Sequence, residues 1–104
     1  MQRGEVWIAQ VGRKRRPVLV LTRSEVLDVR SLVTVAEITT VERGLSTEVP
    51  LDPQTVGIEQ PSVVNADGLH TVGQSLLSHR VGFVDGVILD QVCAAIATAL
   101  DCRG

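Results

Sequence analysis

One stretch of this chain repeats its apolar residues at helical spacing, and it comes last. Leu89, Val92, Cys93, Ile96 and Leu100 recur every three or four positions, with Asp85 before them as an N-cap. The sequence therefore predicts a single amphipathic helix over about residues 86–100. Everything upstream is written in short β-branched or alternating runs broken by glycine and proline. A lone helix needs a sheet to cover its apolar stripe, and short strands joined by tight turns make an antiparallel one. At 104 residues the chain has length for one domain, taken as 1–104.

The runs can be placed in order. Residues 5–10 predict a first strand and residues 17–21, "PVLVL", a second. Pro17 stands at the first position of that strand, where a missing N–H costs least. The polar bridge over residues 12–15 makes the two a hairpin. Residues 32–39, "LVTVAEIT", form a third strand, "RGLS" turns the chain, and residues 47–51 a fourth, assigned to an edge by Pro50. Residues 52–61 hold two prolines and a glycine and are expected to be loop. "SVVNA" is a fifth strand that "LHTV" continues past a bend at Gly68; "QSLLS" is a single helical turn and "RVGFV" a last strand. The fold class expected is mainly β with a C-terminal helix, as a small, partly open β-barrel.

Several function classes are excluded early. Arg3 and Glu5 interrupt the first apolar run, against a secretory leader, and no segment approaches the roughly 20 apolar residues of a membrane span. If one helix carries both Cys93 and Cys102, a rise of about 1.5 Å per residue holds them beyond disulfide reach. A reduced, cytoplasmic chain is the simplest reading. His70, His79 and the two cysteines have no metal-ligand spacing, so no metal site and no cofactor is expected. Neither a phosphate-binding glycine loop nor a glycine-flanked nucleophilic serine occurs. Trp7 and Phe83 are the whole aromatic complement, too few for a platform that stacks several bases.

The charge distribution is more informative than the net charge of −2. Residues 1–30 carry seven cations against three acids, while the rest carries three against nine. Four of those cations, Arg13, Lys14, Arg15 and Arg16, run directly into the second strand. One reading is a solvated hairpin tip. The other is a phosphate clamp: Arg16, beside Pro17, has a fixed backbone, and a planar guanidinium matches two phosphate oxygens.

Taken in order, "RGEVW", "RRPVLVLTR", "VTVAEITT", "GLSTEVPL", "PSVVNADGLHTV" and the closing helix resemble the MazF/PemK toxins, the ribonuclease components of type II toxin–antitoxin pairs. That resemblance implies an SH3-like barrel of the MazF/CcdB type that forms a homodimer and binds a cognate antitoxin. It implies sequence-specific cutting of single-stranded RNA without metal, through the substrate's own 2′-OH, to a 2′,3′-cyclic phosphate and a 5′-OH. The family's catalytic arginine, before the proline, falls on Arg16, and its catalytic threonine on Thr47 in "LSTEV". Arg13, Lys14 and Arg15 are then RNA contacts, with Thr22 at the far end of the same stretch and His70 in "DGLHT".

Two departures stand out. Many relatives read Gln and Arg where this chain has Gly68 and His70, and many carry a longer loop between the first two strands. Arg16 is effectively always protonated, which suits it to stabilising charge rather than to acting as a base. An imidazole is a common catalytic base, which gives His70 that reading, but a histidine packed on a strand is the commoner outcome. His79 is read as structural or surface, and Thr39 and Thr40 as strand-end residues. The rival functions are a non-catalytic toxin of the same fold, like the gyrase inhibitor CcdB, and a β-barrel adaptor.

Overall fold

The structure, a computed structural model, describes residues 1–102. Six strands form it: β1 (Glu5–Val11), β2 (Lys14–Val20), β3 (Leu32–Thr39), β4 (Glu48–Leu51), β5 (Ser62–Gly73) and β6 (Leu77–Phe83). They make one antiparallel sheet in the order β4-β5-β3-β2-β1-β6. A short helix α1 (Pro53–Val56) follows β4, and α2 (Gly86–Ala99) closes the chain.

Strand alternation builds two cores. Val6, Leu19, Ala36, Ile38, Val64 and Ala66 face α2, which buries Val92 and Ala95 against them. On the opposite face Ala9, Val18, Val20, Val33 and Val35 pack under Leu27 and the partly buried Trp7. Asp85 caps α2 as expected, accepting the Ile88 N–H at 2.9 Å.

Three local features refine the expectation. The sheet of the expected partly open barrel is not closed, since β4 and β6 are its unpaired ends. They are bridged by packing instead: the chain leaves β4 and lays α1 against β6. Glycine is required on both sides of that seam. A Cβ on Gly82 would collide with the Val56 carbonyl oxygen, and one on Gly57 with the Val81 carbonyl oxygen. Second, α1 lies where loop was expected. Its signals are present in "DPQTVG": Asp52 accepts the Gln54 N–H at 3.0 Å, Pro53 opens the helix, and Gly57 ends it at φ +80°.

Third, β2 begins at Lys14, three residues before the expected Pro17. Val11 pairs with Lys14, so Gly12 and Arg13 alone make the turn. Gly12 takes φ +63° and Arg13 does not share the left-handed region, the pattern of a type II′ hairpin turn whose twist matches the strands it joins. The cations are thereby drawn into the ladder. Lys14 and Arg16 lie on the face of Val18 and Val20, while Arg15 points to the other side. The basic run is split between two faces.

Candidate active site

The ladder between β2 and β3 runs through Val20↔Val35, Leu19↔Ala36 and Val18↔Glu37, then stops. The next pair in register would set Pro17 against Ile38. Pro17 has no N–H to donate. Beyond it β2 continues on β1 alone and β3 on β5 alone. A cavity of about 230 Å³ opens in the splay. Arg16 lines it from β2, Glu37 and Thr39 from β3, and Asn65 and Asp67 from β5. Alternation explains its chemistry: Arg16 continues the face of Val18 and Val20, and Glu37 that of Val33 and Val35. The second core thus gives way to a polar pocket at one end.

Arg16 is half-buried, and its guanidinium makes no hydrogen bond or ion pair among the described residues. A cation so placed is available to an anionic ligand. Arg43 and Glu48 complete the wall from the segment leading into β4. The Glu48 carboxylate organises that segment, accepting the Arg43 N–H at 3.1 Å and the Leu45 N–H at 2.8 Å. Gly44 supplies the left-handed step there at φ +73°.

Thr47 follows in the same segment and is buried at 8% exposure. Its carbonyl accepts the Ala66 N–H at 2.9 Å, and its hydroxyl donates to Asp67 Oδ2 at 2.6 Å. Asp67 reaches it because β5 bulges. The pairing with β3 jumps from Ala36↔Leu69 to Glu37↔Asn65, leaving residues 66–68 out of that ladder. The expected bend at Gly68 lies in this bulge. Arg16 thus lines the cavity directly, whereas Thr47 meets its wall through Asp67. Its single hydroxyl proton is committed in the free protein, so donation to a phosphate requires exchange with Asp67.

The remaining expected contacts are dispersed. Arg13, Lys14 and Arg15 are exposed at the hairpin tip. His70 pairs with Val35 in the ladder and sets Nε2 3.3 Å from Glu37 Oε1. That nitrogen is buried without a hydrogen bond. Thr22 is not brought to this cavity. It lines a separate groove of about 550 Å³ beside α2, with Arg3 and Arg30, and its Oγ1 accepts the Thr34 N–H at 2.7 Å. His79 is exposed, its Nδ1 2.9 Å from Ser78 Oγ.

Sequence reasoning overlooked Glu37, Arg43, Glu48, Asn65 and Asp67, and read Thr39 as a strand end alone. Glu37 carried a signal, being the one charged residue in "LVTVAEIT"; the others depend on the bulge and the turn. Among the described residues no three of His, Cys, Asp and Glu converge as metal ligands.

Comparison with known proteins finds relatives across nearly the whole chain. A family model described as "PemK-like, MazF-like toxin of type II toxin-antitoxin system" matches residues 2–100. The chain is 38% identical over 103 residues to the probable endoribonuclease MazF5 of Mycobacterium tuberculosis, covering 96% of this chain and 93% of that one. It is 43% identical over 96 residues to endoribonuclease MazF3 of the same species, covering 92% and 91%. Among solved structures, the Mycobacterium tuberculosis toxin MazF-mt6 superposes with a TM-score of 0.90 at 41% identity, covering 96% of this chain and 99% of that one. A mycobacterial endoribonuclease in complex with its cognate antitoxin gives 0.89 at 26% identity, covering 100% and 98%.

Proposed function

The chain belongs to the PemK-like, MazF-like toxin family of type II toxin–antitoxin systems, and from that premise we propose that it is a cytoplasmic endoribonuclease toxin. It cuts single-stranded RNA at short sequences without metal. The substrate's 2′-OH attacks the adjacent phosphorus, leaving a 2′,3′-cyclic phosphate and a 5′-OH. It works as a homodimer and is silenced by a cognate antitoxin. No helix among the described residues is long and apolar enough to cross a membrane.

One observation carries the reading: the unpartnered Arg16 guanidinium in a cavity that Thr47 joins through Asp67. In-line attack builds negative charge on the phosphorane oxygens. A guanidinium that meets those oxygens binds the transition state better than the ground state. Thr47 adds a hydroxyl contact to a phosphate oxygen once its bond to Asp67 exchanges. Lys14, on the Arg16 face, holds a neighbouring phosphate, with Arg13 and Arg15 at the tip.

The test is incubation of purified protein with a long RNA in EDTA, followed by mapping of the ends. Specific cuts with 5′-OH termini are expected, and none where the attacking 2′-OH is replaced by hydrogen. Arg16→Ala and Thr47→Ala should each lower cleavage roughly a hundred- to thousand-fold, about 3–4 kcal/mol, with little loss of RNA binding. Arg16→Lys should rescue in part, because an ammonium lacks the planar fork. RNA binding without any cleavage would return the chain to the class of non-catalytic toxins.

A further inference from the structure

The proposed reaction leaves one role unfilled. The 2′-OH must lose its proton as it attacks, and Arg16, permanently protonated, does not take it. Three carboxylates line the cavity: Glu37, Glu48 and Asp67. Glu48 is occupied by backbone N–H groups of Arg43 and Leu45, and Asp67 by the Thr47 hydroxyl. Glu37 accepts no hydrogen bond among the described residues.

Its surroundings define where that carboxylate lies. Oε1 lies 3.3 Å from the buried His70 Nε2. Oε2 occupies the space a Cβ on residue 68 would fill, beside Asn65 Nδ2. Gly68 therefore leaves room for the carboxylate, and His70 backs it. Arg16 stands in the same cavity across the splay between β2 and β3.

Building on the endoribonuclease reading, we infer that Glu37 is the general base of the reaction, a carboxylate held between His70 and the gap at Gly68 on the cavity that Arg16 lines. Glu37 takes the proton of the 2′-OH while the O2′–P bond forms and the P–O5′ bond breaks. The leaving 5′ oxygen takes a proton from water, and Glu37 returns its own to water. No atom is gained or lost overall. Arg16 carries the phosphorane charge, and His70 is a positioning residue.

Glu37→Gln keeps the shape and removes the base. Its cleavage should fall about a hundred- to ten-thousand-fold. Binding of an RNA made uncleavable by a 2′-deoxy substitution should stay within about threefold, and the residual cuts should map to the wild-type sequences. Gly68→Ala is the second probe. Its Cβ meets the ends of two side chains, Glu37 and Asn65, so it displaces the carboxylate while leaving the chemistry and the backbone in place. A folded Gly68→Ala protein should lose part of the rate without losing RNA binding. Wild-type rates in Glu37→Gln, or in a folded Gly68→Ala, overturn the assignment while the endoribonuclease reading stands. An undiminished rate with relaxed cut sequences in Glu37→Gln also overturns it, making Glu37 a reader of bases. A wild-type protein that cuts no RNA defeats the endoribonuclease reading and this inference together.

Discussion

A guanidinium in mid-strand is normally drawn into cross-strand pairs; Arg16 stays free because Pro17 ends the ladder beside it. The two neighbours divide the work, one supplying charge and the other an opening. Pro17→Ala restores an N–H at that point. It should let the β2–β3 ladder extend toward Ile38 and narrow the cavity. The expected result is stability in urea held or raised, with RNA cleavage lowered several-fold. Wild-type cleavage by Pro17→Ala would separate the ladder's end from the site. Gly82 carries the opposite kind of constraint. Its missing Cβ lets β6 approach the Val56 carbonyl, and backbone cannot swing aside as a side chain does. Gly82→Ala should therefore destabilise by about 1–3 kcal/mol, the range typical of overpacking, as read from the urea midpoint.

At the scale of elements, the β1–β2 hairpin turns a basic run into a two-sided one. Lys14 shares the Arg16 face and Arg15 does not. Each cation that meets a phosphate adds about 0.7 to the salt dependence of single-strand binding. Lys14→Ala should flatten the slope of log affinity against log salt more than Arg15→Ala does; equal slopes would mean the RNA straddles the hairpin. The start of β1 holds a different device. Glu5 accepts the Gln2 N–H at 2.7 Å, the Trp7 indole N–H at 3.1 Å and Arg80 at 3.1 Å, tying the chain's start to β6. Burial alone would raise the Glu5 carboxyl; the bonds from Trp7, Gln2 and Arg80 and the nearby amino terminus outweigh it and hold it below its ordinary 4.5. A depressed value in the fold means the clasp stabilises above pH 4.5 and is lost as pH falls through the lower folded value. Glu5→Gln should be less stable than wild type at neutral pH, with the gap closing in stronger acid, as urea melts at the two pH values would register. The strands and α2 were legible because periodicity is a local signal, and motif order named Arg16, which lines the cavity, and Thr47, which meets its wall through Asp67. Helix α1 was not, since four residues are too few to show a period, though its caps were written out. Glu37, Asn65 and Asp67 converge through a bulge that displaces residues 66–68. Hydrophobic pattern specifies which face a residue takes but not where a ladder slips.

For the whole molecule, small size and divided cores set the terms of assembly. Two clusters on opposite faces share one sheet, while Leu32, Phe83, Val87 and Leu100 remain more than half exposed. Apolar surface of that kind is stabilised by a second copy or by a partner. A homodimer should therefore be found by light scattering at micromolar concentration, and a monomer alone would count against it. An antitoxin of the proposed kind would bind the cationic end of the molecule. The first 30 residues carry the chain's cationic excess, whereas the remainder is acidic, so an acidic, partly disordered segment has one end of the sequence to complement. Covering Lys14 and the mouth of the Arg16 cavity excludes RNA by occupancy. Binding the folded form also raises its stability, by about 2.7 kcal/mol at a hundredfold excess over Kd. Saturating antitoxin should thus stop cleavage and raise the melting temperature together, and Arg13→Ala with Lys14→Ala should weaken both RNA and antitoxin. Full-rate cleavage in a complex that is thermally stabilised would place the antitoxin on another face and leave the RNA path open.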